Sequence, residues 1–231
     1  MTTLTALQPG YLPWLGFFEQ MKSADVFVLY DDVQFDKHGW RNRNRIKCSH
    51  GLQWLTVPVR QHGKPRIADV EIDQTKQWAR KHIASIRQCY AAAPHLEPYA
   101  TELEEILSGP WRLLADLDEA VIALLAGWLR VETTVVRSSR IDVHGERTER
   151  LVALCRHFGA DRYRSGDAAR AYLEVEPFER EGIEVEWQNL DHPVYSQLHG
   201  EFVSHLSALD LIFNCGYESA AFIAAIEVPR A

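Results

Sequence analysis

Three short stretches of this chain carry residue types that can do chemistry. In Asn42-Arg43-Asn44-Arg45, preceded by Arg41, an extended backbone would put Arg41, Arg43 and Arg45 on one face and Asn42 and Asn44 on the other. Neighbouring guanidiniums would then stand about 6–7 Å apart. That suits the adjacent phosphates of a diphosphate, because the planar fork takes phosphate oxygens two at a time. The competing reading is a solvated face paired with Asp31, Asp32 and Asp36. Asp31-Asp32 is the second stretch, placed to serve as a base, a metal anchor or a partner for a ribose hydroxyl, with only one carboxylate needing to face a crevice. The third is Gln8 to Trp14, where Gln8, Tyr11 and Trp14 add polar handles and stacking surface to an otherwise apolar cap.

Weaker signals complete the set. His82 falls among Trp78, Ile86 and Tyr90 at helical spacing, which favours a core imidazole over a base. Ser165-Gly166 is a ligand turn or a helix cap, and Tyr195 belongs to a late loop, His192 to Tyr195, over the crevice. The histidines show no HxH or HxxxH pair and the cysteines no CxxC pair, so no metal site is expected. No Ser/His/Asp or cysteine-nucleophile arrangement is recognisable.

The elements that must position these residues read as follows. Thr2 to Leu7 is a β-prone run ended by Gln8-Pro9-Gly10, Pro13 fits the opening of a helix, and Asp25 to Tyr30 is a second apolar run. Strand, loop, helix, strand is the opening of a parallel α/β unit. Arg43 to Cys48 and Leu52 to Val59 flank Ser49-His50-Gly51 like a hairpin, and Ile67 to Ile72 adds a short strand. Thr75 caps a helix, Pro94 and Pro98 break the chain before a short helix, and Leu114 to Trp128 forms another. Strands at Thr133 to Arg137, Asp161 to Arg164 and Ile183 to Trp187 alternate with a helix at Thr148 to Phe158, and the tail from His199 to Gly216 reads mostly helical. The fold class is therefore α/β: a mostly parallel, Rossmann-like sheet with an inserted β-hairpin and a helical segment at about 75–130, in one domain over 1–231.

Composition narrows the function. At 231 residues, 46% hydrophobic and 25% charged, the chain can bury a core. The net charge of −7 argues against general nucleic-acid binding. Five basic residues between Lys37 and Lys47, with no acid among them, point instead to a local anion site. The most apolar window, Leu113 to Leu129, holds Asp116, Asp118 and Glu119, so no membrane span is expected, and no signal peptide is visible. Cys48, Cys89, Cys155 and Cys215 lie far apart and read as reduced thiols of a cytoplasmic protein.

The run Gln8-Pro-Gly-Tyr-Leu-Pro-Trp-Leu-Gly-Phe-Phe, the segment Ala24 to Phe35, Asn42-Arg-Asn-Arg-Ile, Trp54-Leu-Thr-Val-Pro-Val, Tyr163-Arg-Ser-Gly and Leu206 to Gly216 together resemble the bacterial WbqC-like family, nearly end to end and in order. Arg164 departs from the leucine expected between the tyrosine and Ser-Gly. The resemblance implies a role in surface-polysaccharide (O-antigen) precursor biosynthesis, without fixing a reaction or a cofactor. With the anion site, it gives the expectation of a transferase moving an acyl or aminoacyl group to a nucleotide-linked amino sugar. The alternatives are a nucleotidyltransferase-like enzyme with a divalent ion near Asp31-Asp32, and a non-catalytic scaffold of glycan assembly. The expected partner is an anionic small molecule, a nucleotide sugar.

Overall fold

The computed structural model describes residues 1–37, 39–60 and 63–224. In chain order the strands are β1 (Thr3–Leu7), β2 (Val26–Leu29), β3 (Arg43–Cys48), β4 (Gly51–Thr56), β5 (Val59–Arg60), β6 (Glu71–Ile72), β7 (Thr134–Arg137), β8 (Arg162–Ser165) and β9 (Glu184–Trp187). The helices are α1 (Leu15–Lys22), α2 (Trp78–Cys89), α3 (Leu96–Leu107), α4 (Leu114–Trp128), α5 (Arg147–Phe158), α6 (Glu176–Arg180), α7 (Ala208–Cys215) and α8 (Ser219–Ala224).

Five strands form one parallel sheet in the order β7-β2-β1-β8-β9. Numbered by appearance, they run third, second, first, fourth, fifth. The direction of winding therefore reverses between β1 and β8. Both faces are covered, so the strands are apolar on both sides. In β2, Phe27 and Leu29 enter the larger core cluster, while Val28 points into a smaller one with Leu4, Leu154 and Phe178. The larger cluster also takes in α1, the β3–β4 hairpin and helices α2 to α4. The expected mostly parallel sheet with a hairpin and a helical segment is the fold observed.

Local expectations met several corrections. Thr75 lies in a 3₁₀ turn capped by the Asp73 carboxylate, and left-handed Gln77 separates that turn from α2. Pro98 does not stop the chain. It sits in the first turn of α3, where the missing N–H has no intrahelical acceptor to lose. Residues 67–72 divide into a 3₁₀ turn (Ile67–Asp69) and the two-residue β6. Between 199 and 216 the α-helix covers only 208–215, because left-handed His199 and His205 interrupt what precedes it. Cys48 and Cys89, the last residues of β3 and α2, are joined in a disulfide, with their Cα atoms 4.6 Å apart. The reading of four reduced thiols fails for that pair, because a strand end and a helix end meet across 41 residues of sequence. Cys155 and Cys215 are free.

Candidate functional site

A cleft of about 1020 Å³ opens where β1 and β8 end. Open parallel sheets bind ligands at this kind of reversal, because loops leaving neighbouring strands diverge to opposite faces. Its floor is polar. Gln20 Nε2 donates to Gln188 Oε1 at 2.9 Å, and Gln188 Nε2 donates to Glu19 Oε2 at 2.6 Å and to the Gly16 carbonyl at 2.8 Å. Gln20 lines the cleft, and its buried Oε1 has no partner among the described residues. Gly166 lets that side chain approach, since a Cβ there would stand 3.2 Å from Gln20 Nε2.

Arg41 forms part of the wall. Its Nη1 donates to the Gln8 carbonyl at 2.9 Å and to the Pro9 carbonyl at 3.3 Å, while Tyr11 N–H returns to the Arg41 carbonyl at 3.0 Å. The loop after β1 and the approach to β3 thus clasp each other. Gly10 is required in this contact, because a Cβ would meet the Trp40 carbonyl oxygen at 2.9 Å. Asn42 and Asn44 are buried and tie the hairpin down, with Nδ2 groups donating to Val57 O and Leu12 O. Asn44 also reaches the cleft wall.

The three arginines do not share a face. β3 begins at Arg43, and Arg41 lies in the bend before it, turned into the cleft. Arg43 and Arg45 lie on the other side, against exposed indoles. Arg43 Cζ is 4.7 Å from the Trp54 ring centre, and Arg45 Cζ is 5.4 Å from that of Trp40. Neither lines the cleft.

Asp31 and Asp32 follow β2, at the same end of the sheet as Gln8 to Trp14, as parallel neighbours must. Neither carboxylate lines the cleft, however. Asp31 is 0% exposed and accepts from Arg137 Nε at 2.6 Å, Ser139 N–H at 2.9 Å and the Ser139 hydroxyl at 2.8 Å, with Ser138 Oγ 3.2 Å away. Asp32 pairs with Arg150 and accepts from the Ser138 hydroxyl at 2.6 Å. The arginines that engage them come from β7 and α5, not from the basic run near residue 43.

His82 is buried, as the apolar stripe required, and its Nδ1 is 2.9 Å from the Tyr11 hydroxyl. Burial pulls the imidazole down to about 4. Tyr11 is fully enclosed and absent from the cleft lining, and burial pushes its phenol well up. Tyr195 is also buried, donating to Asp210 Oδ2 at 2.9 Å. Gln8, Trp14, Arg41, Asn44, Ser165 and Gly166 are brought together in the cleft; Tyr11, Asp31, Asp32, Asn42, Arg43, Arg45, His82 and Tyr195 are not. Arg164 points away, into an ion pair with Glu19 at 2.5 Å and a second one with Glu186.

Sequence reasoning missed Gln20, Gln188, Arg147, Thr148 and His205, all of which line the cleft. Arg147 and Thr148 open α5, whose unpaired N–H groups favour an anion. His205 stacks on Trp14 with ring centres 4.7 Å apart, and its Nδ1 is 2.7 Å from Ser204 Oγ. Its backbone N–H donates to His192 Nε2 at 3.2 Å, which leaves the His192 proton on Nδ1, toward the Pro193 carbonyl. Arg147 and His205 both have left-handed backbones that no sequence motif announces.

Among the described residues no group of three or more His, Cys, Asp or Glu could hold a metal ion, and no helix is long and apolar enough to cross a membrane. The fold and cleft define a parallel α/β protein with a ligand-sized site at its sheet reversal. The chain belongs to the WbqC-like protein family, whose sequence model matches residues 8–222. It is 37% identical over 227 residues to the uncharacterized protein Rv1507c of Mycobacterium tuberculosis, covering 96% of this chain and 98% of that protein. No solved structure matches it.

Proposed function

We propose that the chain is a transferase whose cleft binds a nucleotide-linked sugar, and that it moves an acyl or aminoacyl group onto an amino sugar for a bacterial surface polysaccharide. The observation that carries this reading is the cleft at the sheet reversal, with Arg41 in its wall and the start of α5 beside it. Arg41 and the α5 N–H groups would take the diphosphate. Trp14 and Trp40 offer rings for a base or sugar, and the Gln20 amide oxygen would accept from a hydroxyl or amine. When the amine attacks the carbonyl carbon of an acyl thioester, the C–N bond forms, the C–S bond breaks and the thiol departs, and the amine must lose a proton. His205 is placed to take it, since Asp31, Asp32 and His82 do not reach the lining. Membership of a family linked to polysaccharide clusters supports the substrate class.

Nucleotidyl transfer is less favoured, because its divalent ion would need carboxylate oxygens that Arg137, Arg150 and the serines already occupy. A pure scaffold would have little use for a deep, polar-floored cleft. The test is thermal melting with nucleotide sugars, nucleotides and acyl-CoA esters. A ligand at 100 times its Kd adds about 2.7 kcal/mol of stability, and Arg41→Lys should lose that gain for nucleotide sugars. No shift with any nucleotide sugar would overturn the reading.

A further inference from the structure

The amides on the cleft floor are oriented from behind. Gln188 N–H donates to the Ser165 carbonyl at 2.9 Å, which seats the residue after β9 beside the end of β8. Its side-chain Nε2 lies 2.8 Å from the Gly16 carbonyl, and a carbonyl can only accept. The Gln188 NH₂ must therefore face Gly16, whether or not Glu19, the other acceptor on that group, carries its charge. Gln188 Oε1 is left facing Gln20. That oxygen also only accepts, so Gln20 presents its own NH₂ to it at 2.9 Å. One amide sets the next, and the atom left over is Gln20 Oε1. Gln20 is 4% exposed, and this oxygen has no partner among the described residues.

Buried polar atoms are nearly always paired, so an open acceptor on a cleft floor is a place for a donor of the ligand. A second acceptor stands beside it. An amide oxygen can accept twice, and Gln188 Oε1 receives only Gln20 Nε2 among the described residues. Both oxygens border the space that Gly166 leaves open: a Cβ there would stand 3.8 Å from each of them and 3.2 Å from Gln20 Nε2. Gly166 has a φ of −70°, which any residue adopts, so what glycine contributes here is room. Gly166, Gln20 and Gln188 all line the cleft.

We infer that the side-chain oxygens of Gln20 and Gln188 form the subsite for the acceptor's primary amine, one N–H to each, and that Gln20 sets a preference for a free amine over a hydroxyl or an acylated amine. The inference rests on the reading that the cleft holds a nucleotide-linked amino sugar. A primary amine brings two N–H groups for the two oxygens, whereas a hydroxyl or a secondary amide brings one hydrogen. Held through both hydrogens, the nitrogen keeps its lone pair for the acyl carbon. An acylated amine also brings bulk to a space that a single Cβ already crowds. The product therefore fits the floor less well than the substrate, which favours its release.

The probes are UDP-glucosamine, UDP-glucose and UDP-N-acetylglucosamine, which share the diphosphate and differ at one sugar substituent. Their affinities are measured by calorimetry at one alkaline pH that keeps the amine neutral. Wild type should bind UDP-glucosamine about tenfold or more tightly than either analogue, the upper end of what one hydrogen bond contributes. Gln20→Leu should bring UDP-glucosamine down to the affinity of UDP-glucose. Gly166→Ala keeps every side chain of the relay, suits the backbone and sets a methyl group over the amides, so it should do the same even if Gln20→Leu fails to fold. Equal wild-type affinities for the three probes, or a preference that survives either substitution in a folded chain, would overturn the inference while leaving the cleft reading intact. Binding of none of the three also overturns it. A melting shift with some other nucleotide sugar would then keep the cleft reading, and no shift with any removes both.

Discussion

Two buried aspartates feel the charge of Arg137, and the protein treats them oppositely. Asp31 accepts from a guanidinium, a hydroxyl and a backbone N–H. Among the described residues, Asp118 accepts from nothing. Both lie near arginines, so proximity does not separate them. Geometry does: the Ser138-Ser139 turn that follows β7 delivers its donors to Asp31, whereas Asp118 sits buried within α4 with no donor in hydrogen-bond reach among the described residues. A saturated carboxylate fixes structure, because any change must break several bonds together. An unsaturated one remains responsive to whatever alters its surroundings.

That contrast can be broken at several strengths. Asp31→Ala should be the most damaging, since it removes the buried one of the two carboxylates 2.6 Å from Arg137 and leaves the Ser139 donors unpaired; a loss of about 3–5 kcal/mol in denaturant unfolding is expected. Acid should act next, through His82. Its folded value of about 4 lies below the ordinary 6.5, so the unfolded chain binds the proton more readily between those values. Stability should therefore fall as pH drops from 6.5 to 4, by about 3 kcal/mol, and His82→Gln should flatten that slope in melts across the range. Asp118→Leu should go the other way. Replacing an unpaired buried carboxylate with an apolar group of similar size should stabilise by about 1–2 kcal/mol, read as a raised Tm. A fall in Tm would mean that hidden partners satisfy Asp118. Arg43→Lys and Arg45→Lys should be smallest, at about 0–1 kcal/mol, because exposed contacts with Trp40 and Trp54 contribute little. Neither should change anion binding in the cleft, whereas Arg41→Lys should.

The sheet was legible in the sequence because buried parallel strands leave continuous apolar runs, as in Val26 to Leu29, and the first loop was legible because it follows such a run. What stayed hidden were pairings between distant segments. Nothing near Asp31 announces Arg137, and nothing near Cys48 announces Cys89. The arginine run misled because alternation holds only inside a strand, and the strand starts two residues after Arg41. Gln188 and His205 were invisible because each is isolated in sequence and reaches the cleft only through the company that folding gives it.

The strand order has a consequence for the chain as it is made. β1 is the central strand, and β2 reaches its first edge within about one helix of synthesis. Its other edge waits for β8, which begins at Arg162. At ordinary translation rates, that edge stays unpaired for on the order of 10–30 s while the β3–β4 hairpin and four helices, α2 to α5, emerge. Through that interval an apolar strand edge and its unfilled cleft floor are open to other chains. Slower synthesis of the middle segment, or the loss of holding chaperones, should therefore lower soluble yield more than the finished protein's stability would suggest.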